Sequence, residues 1–156
     1  MNDEKSEKLD GLKTKFIEEI HLASAMSDAM KTRKGRRVFK KSLSDKEKTK
    51  EQERRREEFK EELRSKLREY ATQYTVKVED EPHIENIRNL AAYFTKNYND
   101  ILEGGELVFG VAQKALNVYL KGRWCTGEGT IPPHCPFDSD ILDLIKPKLP
   151  RKRKST

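Results

Sequence analysis

Apolar side chains recur at intervals of three and four residues along this sequence, and this spacing constrains the fold more than any other feature. An α-helix has 3.6 residues per turn, so side chains at such intervals line one face of a helix. The most regular run consists of Ile84, Ile87, Ala91, Phe94, Tyr98 and Ile101. Asp80 and Pro82 precede it as a helix start, and Glu103-Gly104-Gly105-Glu106 follows it as a reversal. We predict a core helix here.

The same periodicity predicts three further helices. They span residues 4–30, residues 45–70 and about 107 to 121, the last ending at Gly122. Their predicted inward residues are, in chain order, Leu9, Leu12, Phe16, Ile20 and Ala23; Phe59, Leu63, Leu67, Tyr70 and Tyr74; and Val108, Val111, Ala115, Leu116, Tyr119 and Leu120. Residues 74–79 alternate in polarity, but a lone strand has no pairing partner, so this segment is predicted to be a linker. The fold class is predicted to be all-α, a small multi-helix bundle.

The composition predicts a small core, because 34% of the residues are hydrophobic and 38% are charged. We expect an amphipathic helix and basic arm over residues 1–43, a helical domain over 44–146 with a short last helix at 140–145, and a basic tail over 147–156. No apolar run approaches the roughly 18 residues of a membrane span, so no membrane association is expected. The acidic N-terminus lacks a signal-peptide pattern, so we expect an intracellular protein, cytoplasmic or in the nucleoid or nucleus.

Positive charge is concentrated in two short segments. Residues 32–41 (TRKGRRVFKK) contain no acidic residue and six basic ones, namely Arg33, Lys34, Arg36, Arg37, Lys40 and Lys41. Residues 151–154 (RKRK) contain four more, and because the net charge is +6 the rest of the chain is slightly acidic. Such arms attract a polyanion, since each neutralised phosphate releases a counterion. DNA is therefore the predicted partner, although a localisation signal explains the terminal RKRK equally well.

Two apolar residues, Val38 and Phe39, interrupt the basic arm. An aromatic side chain among cations either stacks on a base or anchors the arm to the protein, and the sequence leaves both roles open. Gly35 lies where the helical periodicity is lost, which predicts a loop or hinge within the arm.

The predicted helix over residues 45–70 begins with a capping box formed by Ser44 and Glu47 and contains ten basic and nine acidic residues. Its predicted ion pairs four residues apart include Glu51 with Arg55 and Glu62 with Lys66. Apolar residues occur only in its second half, so the first half is predicted to project into solvent or to lie against a partner. The alternative function is therefore a non-catalytic protein interaction module that uses this helix. Self-association through residues 4–30 and 45–70 is also possible on this pattern.

The block from residue 109 to residue 141 differs from the rest in its aromatic, glycine and proline residues. Within it, Gly110-Val111-Ala112-Gln113-Lys114 is followed by a helix and then by Pro136-Phe137-Asp138 ahead of another helix. This arrangement resembles the hairpin and active site of helix-hairpin-helix DNA glycosylases, above all the bifunctional branch that acts on 8-oxoguanine. The block also resembles small uncharacterised proteins that share AQKALNVYLK and PPHCPFD-like strings, a likeness that implies no function.

The resemblance to the glycosylases implies roles for individual residues. In that family a GVGxK-like turn binds a DNA phosphate through backbone amides, which suits a helix N-terminus. Gly110 and Val111 match this turn, with Ala112 at its second glycine. Lys114 matches the family's lysine, which attacks the sugar as a Schiff-base nucleophile. Asp138, 24 residues later, matches the aspartate that supports the developing charge.

Further contacts to nucleic acid are predicted along the same block. Lys121, Arg123 and Trp124 follow on the predicted helix, and Trp124 or Phe137 is a candidate to stack on an unpaired base. An interpretation without catalysis stays open, in which Lys114 and Lys121 face solvent and PPHCPFD is a rigid turn before the last helix. The chain is thus predicted to bind DNA, and base-excision activity is possible.

Histidine and cysteine residues give little sign of a metal site. Cys125, His134 and Cys135 lie close in sequence, but a structural zinc site needs four ligands in compact pairs, and adjacent His134 and Cys135 are poorly spaced for one ion. We predict no metal and no cofactor, and we expect the cysteines to be small buried thiols. His21 and His83 are predicted to be surface or capping residues.

Overall fold

The computed structural model describes residues 2–31, 37–42 and 46–134. Its α-helices are α1 (Asn2–Met30), α2 (Lys46–Ala71), α3 (Asp80–Tyr98) and α4 (Phe109–Cys125), with short 3₁₀ turns at Thr72–Thr75 and Glu103–Gly105. The predicted all-α bundle is confirmed, since the described residues pair as strands at one isolated bridge only. Ser44, the predicted short helix at 140–145 and the basic tail lie outside the described residues.

One hydrophobic core joins the four helices. α1 packs most extensively on α4, and α4 also packs on α3. The core takes in Leu22, Ala25, Met26 and Ala29 from α1, Phe59, Leu63 and Leu67 from α2, Ile87, Leu90 and Phe94 from α3, and Val111, Ala112, Ala115, Leu116, Tyr119 and Leu120 from α4. The helix predicted within residues 1–43 thus contributes to the same hydrophobic core as the helices that follow residue 44.

The face of α1 that packs on the bundle differs from the predicted face. The predicted stripe is exposed: Leu9 is 53%, Leu12 57%, Phe16 68% and Ile20 50% exposed, and Ala23 is exposed as well. The buried residues are Leu22, Ala25, Met26 and Ala29. Small side chains at positions 25 and 29 let two helix backbones approach closely enough for their side chains to interdigitate. The prediction was wrong because both faces of α1 carry apolar residues.

The end of α4 also differs from the prediction, since Gly122 lies inside the helix and does not stop it. A Cβ atom at Gly122 would lie 2.8 Å from Cδ2 of His21, so the glycine makes room for that ring. His21 is therefore buried between α1 and α4, where a surface residue was predicted. The helix ends after Cys125, and Gly127 follows with φ of 84°. The loop then returns to the 3₁₀ turn after α2, where Thr130 N–H donates to the carbonyl of Tyr74 (2.9 Å).

The first half of α2, predicted to project into solvent or to lie against a partner, is largely exposed but contacts the basic arm and the end of α3 through one face. Gln52 is buried, and Arg55 is half-buried against Asp100 after the end of α3, with Nη2 and Oδ1 3.0 Å apart. The predicted pairs of residues four apart are replaced as well. Glu51 pairs with Arg54, Lys66 pairs with Glu69, and Glu62 accepts hydrogen bonds from Tyr93 and Tyr98. Arg55 and Glu62 thus take partners from α3 and the residues after it, whereas Glu51 and Lys66 pair with helix neighbours three residues away.

The connection between α3 and α4 reverses the chain as predicted. Gly104 and Gly105 have φ of 68° and 76°, the left-handed region that favours glycine. The linker predicted over residues 74–79 is extended only from residue 76, because Tyr74 and Thr75 belong to the 3₁₀ turn. Among the described residues, no helix is both long and apolar enough to cross a bilayer.

Candidate nucleic-acid interface

The described part of the basic arm, residues 37–42, crosses the end of the bundle where α3 leads into α4. Its backbone pairs with that connection. Lys40 N–H donates to the carbonyl of Ile101 (2.9 Å), and Glu103 N–H donates to the carbonyl of Val38 (2.9 Å). Because both bonds involve the main chain, they fix the path of the arm whatever its side chains contact.

Phe39 anchors the arm to the protein, which is one of the two roles left open by the sequence. Its ring packs edge-on against Phe59 of the core, with ring centroids 5.1 Å apart. The guanidinium of Arg56 lies 5.5 Å from the centre of the Phe39 ring. Val38 beside it is 8% exposed. The two apolar residues thus hold the arm against the core, and Arg37, Lys40 and Lys41 beside them are exposed.

Side chains in the first half of α2 donate hydrogen bonds to backbone carbonyls of the arm. Arg56 Nη2 donates to the carbonyl of Lys40 (2.5 Å), and the side-chain amide of Gln52 donates to the carbonyl of Lys41 (3.3 Å). Arg55 holds α2 against α3, and its hydrogen bond with Asp100 raises the pKa of the guanidinium. The same bond lowers the pKa of the Asp100 carboxyl. Both groups stay charged across the physiological range.

An open cleft of about 730 Å³ lies between the end of α1, the arm and α2. Its basic lining residues are Lys31, Arg37, Lys40, Lys41, Arg56 and Lys60. The other described lining residues are Met30, Val38, Phe39 and Ser42, so none of those described is acidic. The fold therefore brings six positive side chains, four from residues 31–41 and two from α2, to one surface, which we call the basic cleft.

Carboxylates lie beside the basic cleft without lining it. Lys31 pairs with Asp28 (3.3 Å) and Lys60 pairs with Glu57 (2.5 Å), each three residues away on its own helix. Such exposed pairs contribute little free energy, so a phosphate can replace the carboxylate at small cost. Lys40 Nζ donates to two backbone carbonyls just after α3.

The start of α4, predicted to bind phosphate, lies next to the arm. A cavity of about 210 Å³ there is lined by Arg37, Val111 and the acidic residues Glu103 and Glu106, among others. Gly110 is exposed and Val111 is 6% exposed in the core. The N–H of Val111 donates to the carbonyl of Val108 (3.0 Å). One predicted phosphate-binding amide is thus used within the protein, and two carboxylates oppose an anion at this corner.

Of the two residues predicted to be catalytic, the structure describes Lys114. Lys114 lies half-buried in the second turn of α4, and Asp138 lies outside the described residues. Arg33, Lys34, Arg36 and Phe137 also lie outside them. The predicted roles of these residues stay predictions.

The remaining predicted contacts lie at the far end of α4. Lys121 is exposed and Trp124 is 44% exposed. Arg123 pairs with Glu128 (3.2 Å). Lys121 is about 18 Å along the helix from Phe109, where the arm crosses. The structure therefore separates these residues from the basic cleft.

A buried histidine is the chief feature of the opposite end of the bundle. His83 was predicted to be a surface or capping residue, but it is fully buried. Its Nδ1 lies 2.7 Å from the Tyr74 hydroxyl and its Nε2 lies 2.9 Å from Oδ1 of Asn117. Burial lowers the pKa of His83, and the nearby His134 adds to this effect. The ring is therefore neutral at physiological pH and links three segments of the core.

No three histidine, cysteine, aspartate or glutamate side chains of the described ranges are grouped so that they could hold a metal ion. Cys125 is exposed, which corrects the expectation of a buried thiol. His134 Nε2 lies 3.6 Å from Oδ1 of Asp80. Cys135 is outside the described residues.

Sequence reasoning found the arm but missed half of the cleft. Arg56 and Lys60 belong to a helix whose charges alternate in sign, Lys31 directly follows α1, and nothing local distinguishes the three from solvated residues. The run Arg54-Arg55-Arg56 was the one available signal. Comparison of the chain with models of protein families, with curated proteins and with solved structures finds no match.

Proposed function

We propose that this protein binds the phosphate backbone of a nucleic acid, DNA in the first instance, through the basic cleft. One observation carries the proposal: six basic side chains, namely that of Lys31 just after α1, three from the arm and two from α2, converge on one open surface that no described acidic residue lines. Cations held together in this way repel one another, and a polyanion relieves that repulsion.

The geometry favours contact with phosphates over contact with bases. The aromatic residue of the arm, Phe39, is packed against the core and is not free to stack on a base. Lysine and arginine on an open surface bind phosphate oxygens without reading sequence. We therefore expect binding with little sequence preference, set mainly by charge.

The salt dependence of binding tests the proposal. If four to six phosphates are neutralised, the logarithm of the association constant should fall with the logarithm of salt concentration with a slope of about −4 to −5. Between about 50 and 200 mM salt, affinity for a random duplex should then fall roughly 10²- to 10³-fold. Fluorescence anisotropy with a labelled duplex measures this. The absence of binding at 50 mM salt would contradict the proposal.

Paired variants locate the surface. Arg37→Gln with Lys41→Gln removes two cleft charges from exposed positions and should reduce the salt slope by about 2. The matched control, Lys77→Gln with Lys121→Gln, removes two exposed charges away from the cleft and should leave the slope nearly unchanged. A larger loss in the control would place the binding surface at the far end of α4 and contradict the proposal for the cleft.

Lyase chemistry at Lys114 is a separate prediction and needs a separate test. Borohydride trapping on duplexes with a damaged base or an abasic site would report a Schiff base. An adduct lost in Lys114→Gln and retained in Lys121→Gln would support the enzyme. Intact binding without any adduct would leave a binding protein only.

A further inference from the structure

The N-terminal half of α1 carries an apolar stripe that nothing in the described part of the chain covers. Leu9, Leu12, Phe16 and Ile20 are half or more exposed, and Ala23 continues the stripe. Every residue from 7 to 16 is exposed on all sides of the helix. A short isolated helix is only marginally stable in water, so an uncovered stripe of this kind favours a partner.

The stripe faces away from the body of the bundle. Phe16, its central residue, and Ala25, in the packed face, are nine residues apart, which is about two and a half helical turns. They therefore lie on opposite sides of α1. A second helix can lie along the stripe, over about 21 Å from Leu9 to Ala23, without displacing α4.

We propose that the stripe binds the same stripe of a second copy of this chain, as an antiparallel helix pair with a two-fold axis at Phe16. The stripe residues are 9, 12, 16, 20 and 23, so the spacing is three, four, four and three residues in either direction. The mean interval of 3.5 residues is that of a coiled-coil seam. Antiparallel pairing places Phe16 beside Phe16 of the second copy, Leu12 beside Ile20, and Leu9 beside Ala23.

The charges beside the stripe select this orientation. In a parallel pair, a residue on one flank faces the residue five positions later in the partner, so Lys8 would face Lys13 and the two would repel. In the antiparallel pair, the two-fold axis places the flank that carries Lys15 and Glu19 beside the same flank of the second copy. The Lys15 of each copy then lies about 3 Å along the axis from the level of Glu19 in the other. Glu19 pairs with Arg64 (3.6 Å) and Arg68 (2.6 Å) of its own chain, but its side chain is 52% exposed and so is accessible to a further contact.

Sedimentation of the full chain over a concentration series tests the proposal. The interface is smaller than that of a standard complex, so we expect a dissociation constant on the order of 10 µM. Because a two-fold dimer contains each side chain twice, Phe16→Glu should raise this constant at least about 100-fold. Val76→Glu is the matched control: Val76 is 67% exposed off the stripe, and its substitution should leave the constant unchanged.

Disulfide cross-linking tests the orientation, in a chain whose Cys125 and Cys135 are replaced by serine. Phe16→Cys should cross-link to itself. Leu9→Cys should not, since its two copies are about 21 Å apart in the antiparallel pair. Efficient cross-linking through Leu9→Cys would show a parallel pair and overturn the proposal.

A chain that stays monomeric up to about 300 µM would also overturn the proposal, because mass action would populate any dimer of the expected strength. The stripe would then be left to residues 135–156 of the same chain or to another protein. A dimer unaffected by Phe16→Glu would have the same consequence, since its interface would lie elsewhere.

Discussion

Lowering the pH from 7.5 to 5.5 is expected to destabilise this protein, because His83 must stay neutral in the folded state. The ring is fully buried and both of its nitrogens are engaged. An amide oxygen only accepts, so Nε2 carries the ring proton and donates to Asn117, while Nδ1 accepts from the Tyr74 hydroxyl. A second proton would have to enter this site beside the ring of His134, whose centroid is 4.7 Å away.

The size of the effect follows from the lowered pKa of His83. The unfolded chain takes up a proton near the ordinary histidine pKa of 6.5, and the folded chain takes it up at a lower pH. The stability that His83 contributes is therefore fully present above pH 6.5 and is lost as the pH falls through the folded pKa. Each pH unit between the two pKa values costs up to about 1.4 kcal/mol, so the step from pH 7.5 to 5.5 costs at most about 1.4 kcal/mol from this group.

Urea unfolding at several pH values, followed by circular dichroism, measures the change in free energy. His83→Gln should be less stable at every pH because it disturbs a buried network, and it should lose most of this pH dependence. His134→Gln is the control and should retain most of the dependence, since burial, the larger cause of the lowered His83 pKa, is unchanged. The reasoning is refuted if the wild-type chain and His83→Gln show the same dependence on pH between 7.5 and 5.5.

Three further substitutions test the packing. Gly122→Ala should lower the free energy of unfolding by about 1–3 kcal/mol, because the new Cβ meets the His21 ring at 2.8 Å; urea unfolding that shows a more stable protein would contradict this packing. Phe39→Ala should lower the free energy of unfolding by about 2 kcal/mol in the same assay and weaken duplex binding. Phe39→Leu should retain both the stability and the binding. Equal behaviour of the two variants would argue against the role of Phe39 as an anchor. Hydrogen bonds from two tyrosines lower the pKa of Glu62, so the stability it adds is present above about pH 4.5 and is lost as the pH falls further. Glu62→Gln should therefore destabilise the protein at pH 7 and less so at pH 3.5, and a constant difference in acid unfolding would count against this account.

The positions of the helices could be predicted from local sequence alone. Periodicity placed α3 and most of α1 and α2, and the paired glycines placed the reversal before α4, because these signals depend on neighbouring residues only. The same signals failed at Gly122. A glycine reads as a helix end, but here its missing side chain admits the ring of His21 from a helix about one hundred residues earlier.

The candidate site could likewise be predicted only in part from the sequence. The composition of residues 32–41 shows a basic arm, and charge is additive along a chain, so this much needs no fold. Which cations join Arg37, Lys40 and Lys41 depends on how α1 and α2 pack, and the alternating charges of α2 conceal Arg56 and Lys60 among solvated neighbours.

The sequence by itself determined that this protein is helical, weakly apolar and locally basic, since each of these properties depends on residue types and their spacing. Tertiary structure alone decided that the face of α1 with small side chains is buried while the stripe of larger apolar side chains is exposed. It also decided that His83 is neutral inside the core. The physical reason is that burial and proton affinity depend on which surfaces fit together, and that fit is a property of side chains far apart in the sequence.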